Sequence, residues 1–209
     1  MSSWQYAFLF PSSKEIIRPS RAVCHFNRNG FEFDRKIRLC IQIDDAGHLL
    51  DVGEEINLGD PVVKNLIDYL ERGVPLSIQV INKHIQITCH FIISCNNPHI
   101  SFGWSRRLFC MMPIDQQKIF WIALRSFARD CNSAFVFIID DAPDDFEDRF
   151  IEVDNDHFID TEVNHRYGLG LRQVWIRTSF VQKPPLGPTY SSSEDIGDDF
   201  KRYFVKSDR

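Results

Sequence analysis

Apolar positions between Ile114 and Ile139 carry the strongest pattern in the chain. Phe120, Ala123, Leu124, Phe127, Ala128 and Cys131 recur at i, i+3, i+4, i+7, i+8 and i+11, which gives one helical face an apolar lining that must be buried. The spacing predicts a helix over 115–131, with Asp115 placed to cap its first turn and Asn132-Ser133 closing it. Two residues later Phe135-Val-Phe-Ile-Ile139 runs without a polar break, as in a central strand covered on both faces.

The rest of the chain is read outward from that pair. Trp4, Tyr6, Phe8 and Phe10 alternate with smaller or polar residues and predict a strand, which Pro11 and Pro19 separate from a short strand over Ala22–Phe26 by way of a loop. Ile37, Leu39, Ile41 and Ile43 give a further strand that turns at Asp44-Asp-Ala-Gly47 and returns over Leu49–Val52. A helix over 61–72 is marked by Asp60 as N-cap, Pro61 at the first helical position and Gly73 beyond the end, with Val63, Leu66, Ile67 and Leu70 facing inward. Leu76, Ile78 and Val80, then Ile85 through Cys95 at every second position, predict a hairpin turning at Asn82-Lys83. One more strand is expected around Ile100–Trp104 or Leu108–Met111, and a last one over Leu171–Val181.

Residues 1–182 therefore read as a single domain, 183–193 as a Pro/Ser-rich linker, and 194–209 as a helical tail in which Ile196, Phe200 and Phe204 fall at i, i+4 and i+8. The expected fold class is α+β: a mostly antiparallel β-sheet of about six to eight strands, the helices at 61–72 and 115–131 on one face, and a short C-terminal helix.

Composition narrows the class. With 209 residues of which 44 % are hydrophobic, the chain can bury a substantial core. It holds 18 Phe against 3 Met, so that core is built from flat rings. No basic leader followed by an apolar run opens the sequence, and no apolar stretch reaches the roughly 20 residues of a spanning helix, so a cytoplasmic location away from membranes is expected. Cys24, Cys40, Cys89, Cys95, Cys110 and Cys131 form no CxxC pair and sit mostly in apolar segments, as free thiols do in a reducing compartment.

Charge changes the picture most. Residues 140–162 contain eleven Asp or Glu against Arg149 alone, about −10 in a chain whose net charge is −5, so the remainder stands near +5. Phe146 and Phe150, spaced i, i+4 after Pro143, fit a short helix that docks two rings and leaves its acids in water. Asp140, Asp141, Asp144, Asp145, Glu147, Asp148, Asp154 and Asp156 are the expected partner-binding residues, offered to a protein with a basic surface.

Candidate chemistry is thin beside this. Asp154-Asn-Asp156 opens like a calcium loop, but Phe158, Ile159 and His165 stand at its fifth, sixth and twelfth positions. Cys89-His90 with Cys95 and His99 has a metal-like composition, yet neighbours on a strand point to opposite faces. Cys24-His25 has no third residue to orient it, and Gly168-x-Gly170 lacks the third glycine of a nucleotide loop. Asp144, Asp145, Glu147 and Asp148 read as a solvated face before they read as an acid and base. Arg18, Arg21, Arg28, Arg35, Lys36 and Arg38 form a positive zone without any nucleic-acid motif. No cofactor, metal or nucleic acid is expected.

Three functions remain open. The first is a non-enzymatic binding protein, such as an immunity or antitoxin protein that neutralises a basic toxin. The second is an enzyme assembled from scattered residues such as His157 and His165 with the acids of 140–166. The third is a structural subunit with Trp104 and Trp175 at its interface.

Overall fold

The computed structural model describes residues 4–11, 17–43, 49–93, 98–140, 171–179 and 190–205. In chain order the elements are β1 (Trp4–Pro11), α1 (Pro19–Arg28), β2 (Glu32–Ile43), β3 (Leu49–Asn57), α2 (Val62–Glu71), β4 (Leu76–Asn82), β5 (Ile85–Ile92) and β6 (His99–Ser105). There follow α3 (Arg106–Met111), α4 (Ile114–Asp130), β7 (Ser133–Asp140), β8 (Leu171–Arg177), β9 (Tyr190–Gly197) and β10 (Phe200–Val205).

All ten strands form one sheet in the order β3-β2-β4-β5-β6-β1-β7-β8-β10-β9, with every pairing antiparallel. The fold is thus α+β with a large antiparallel sheet and few helices. β1 lies in mid-sheet, where Phe8 stands opposite Ser101 on one side and Phe137 on the other.

Strict alternation sorts the strand residues onto two faces. Ala7 and Leu9 of β1, Phe102 and Trp104 of β6, and Val136 and Ile138 of β7 join one core with α1, α2 and α4. Ring packing organises it: Phe127 of α4 meets Phe102 edge-on at 5.1 Å and Phe26 of α1 at 5.4 Å, and Trp104 meets Phe120 at 4.9 Å. On the opposite face Phe10 packs against Phe137 at 5.8 Å and His99 at 5.4 Å, so β7 is buried on both sides, as its unbroken apolar run predicts. Towards β4 and β5 that second face turns polar, where the Gln79 amide donates to Thr88 Oγ1 at 3.0 Å.

Several expectations need correction. Among the described residues the sheet has ten strands instead of six to eight. Ala22–Phe26 belongs to helix α1 and not to a strand; Pro19 occupies its first turn, and Pro19, Ala22, Val23 and Phe26 are its buried residues. The C-terminal helix is absent from the described residues: 190–197 and 200–205 form a hairpin that pairs with β8 and completes the sheet. Asp198 and Asp199 supply its two-residue turn with φ of 53° and 68°, the backbone of a type I′ connection. An i, i+4, i+8 spacing is even-numbered and so satisfies period two as well as a helix, which is why Phe200 and Phe204 misled the sequence reading. Asp115 lies in the first turn of α4, one residue inside its start, where its charge favours the helix dipole. α2 begins at Val62, with Pro61 at the cap position expected for Asp60.

Candidate functional site

β7 hands the chain to the acidic stretch at Asp140, and that residue is fully engaged. Its carboxylate accepts from Gln5 Nε2 at 2.8 Å and from Arg106 Nη1 at 2.9 Å, and it is only 6 % exposed. A buried carboxylate shared between an amide and a guanidinium holds a corner of the sheet against the start of α3. Asp141, Asp144, Asp145, Glu147, Asp148, Asp154 and Asp156 lie outside the described residues, as do Phe146, Phe150, His157 and His165.

Beside this corner is a feature that the sequence reading missed. α3 starts where the Ser105 hydroxyl accepts from the Leu108 N–H, and it buries only Phe109. Its other large apolar residues face water, Leu108 being 48 % and Met111 72 % exposed, and Ile114 at the start of α4 is 70 % exposed. Ile119 and Ile122 of α4 are exposed as well, so five of the seven exposed large hydrophobics among the described residues lie between 108 and 122. Scattered exposed apolar side chains are ordinary, whereas this stretch of the chain holds most of those described. Arg107, Lys118 and Asp115 are exposed around it, so strong negative charge comes from the segment after Asp140 and not from the helices themselves. In the sequence Pro113 after Leu108-x-x-Met111 argues for a break between two elements, but not for the direction in which their apolar side chains face.

A second polar cluster ties the helices to the last hairpin. His25 Nδ1 meets Asp130 Oδ2; Asp130 Oδ1 accepts from Arg129 Nε at 3.0 Å; Arg129 and Arg125 both donate to Asp198, Arg125 through Nε at 2.8 Å. Arg125 also donates to the Ile196 carbonyl, and Arg177 to the Arg129 carbonyl at 3.2 Å. The chain of contacts crosses from α1 through α4 to the β9–β10 turn, and it pins that turn to the helix layer. Asp130 is the buried member, so Asp130→Ala is expected to cost about 2 kcal/mol in urea unfolding by stranding the Arg129 and His25 partners. A loss below a quarter of that would remove the cluster from the account of stability.

Cys40, Cys89 and Cys131 are buried, whereas Cys110 is exposed. Burial pushes Cys40 up to about 11 and Cys131 up to about 12, and raises Cys89 well above its ordinary value, with the Cys131 thiol nearby adding to the effect. Cys24 and His25 are neighbours on a helix, about 100° apart around its axis, and do not converge. Cys89 faces the core while His90, whose pKa is lowered by burial, stands opposite Ser77 and Ser101; Cys95 is outside the described residues. Among the described residues no group of three His, Cys, Asp or Glu side chains could share a metal ion. A neutral-pH thiol reagent is expected to label exposed Cys110 in the native protein and to reach Cys40, Cys89 and Cys131 only on unfolding. Mass spectrometry finding Cys89 labelled first would refute that.

Trp104 and Trp175, expected at an interface, are 0 % and 2 % exposed and belong to the core. Trp104 stands among Phe109, Phe120 and Trp121, and Trp175 donates its indole N–H to Gln173 at 3.0 Å. No helix among the described residues is long and apolar enough to cross a membrane.

Comparison with known proteins adds little. No protein-family model matches the chain, and no curated protein matches it. A solved structure, the Pseudomonas aeruginosa T6SS protein PA0821, is similar with a TM-score of 0.36 and 10 % sequence identity over 66 % of this chain. The likeness spans 40 % of that protein and is too slight to carry an argument about fold or function.

Proposed function

We propose that this chain is a non-enzymatic binding protein of the immunity or antitoxin type, which acts in the cytoplasm by occupying a second protein with a basic surface. The observation that carries this reading is the exposed apolar ridge from Leu108 to Ile122, set beside the Asp140–Arg106 corner from which the acidic stretch departs. Stable protein interfaces combine an apolar centre with a polar, charged surround; the exposed side chains of 108–122 would supply the first and the acids that follow Asp140 in the sequence the second. The ridge supplies area that leaves water on binding; the carboxylates after Asp140 supply long-range attraction that speeds encounter and excludes other acidic proteins. The structural-subunit reading loses the two tryptophans on which it rested.

Met111→Asp with Ile114→Asp is the test. Both side chains are largely in water, so the fold should be unaffected and the melting temperature should stay within about 2 °C of wild type. Binding to the basic partner captured from the native host is expected to weaken about a hundredfold, because two interface anchors would be replaced by desolvated charges. Unchanged affinity would sink the ridge as the docking surface.

A further inference from the structure

We draw no further inference here: the strongest candidate, the groove of about 480 Å³ between the start of α1 and the end of α2, is floored by Ile17, Pro19 and Leu70, which are themselves buried, and rimmed by the exposed Arg18, Arg21 and Glu71, and nothing in the structure shows what covers it.

Discussion

Exchange of Asp144, Asp145, Glu147 and Asp148 for Asn or Gln is expected to slow association with the basic partner about tenfold or more at low salt, the gap closing as ionic strength rises. The sequence places eleven acids in 23 residues, and a field of that density acts beyond contact distance until salt screens it. Dissociation should change much less, because the apolar ridge and not the solvated carboxylates would hold the complex once formed. Stability should be almost untouched, since crowded like charges contribute nothing favourable to the fold. Stopped-flow kinetics at several salt concentrations give the answer. A neutralised variant with the wild-type rate and salt slope would leave the acidic stretch as a solubilising segment only.

Phe127→Ala is expected to cost about 4 kcal/mol and to lower the melting temperature by about 10 °C. Phe127 is the ring at which three parts of the chain meet: Phe26 of α1, Phe102 of β6 and Phe91 of β5 all surround it, the last at 6.4 Å. Truncation leaves a cavity lined by large rings whose backbones are fixed in a helix and in mid-sheet strands, so collapse is limited. Leu108→Ala is the control. Its side chain is half in water, and its loss should stay within about 0.5 kcal/mol. Equal effects from the two changes would contradict the assignment of one to the core and the other to the ridge.

Legibility in the sequence followed from how far each signal depended on period alone. β7 and α4 were readable because a three-to-four spacing sustained over α4 fixes a helix, and the run Phe135–Ile139 is short, rich in aromatic and β-branched residues and set off from that helix by a turn. α1 was missed because a stretch as short as Ala22–Phe26 fits a strand as readily as a helix, and the helix is set by Pro19 in its first turn and by the burial of Ala22, Val23 and Phe26. The last hairpin was lost to an ambiguous period, and its turn uses Asp198-Asp199 where the recognised signal is Asn-Gly. The ridge could not be seen from local pattern, since whether Met111 of α3 and Ile114 of α4 face the core or water depends on which side of each helix the sheet occupies. Asp140 shows the converse: its acidity pointed to a partner, while its place at the end of a buried strand makes it a fixture of the sheet, held by Gln5 and Arg106.

The central claim is that the chain docks a basic protein through the surface made by α3 and the first half of α4. Amide hydrogen exchange on the complex with the captured partner tests it most directly. Protection confined to 106–122 and to the acidic stretch, with the β3 edge exchanging as in the free protein, is the predicted result. Protection at β3 or β9 with 106–122 unchanged would contradict the account, because the partner would then be adding to an edge of the sheet and the ridge would have no part in binding.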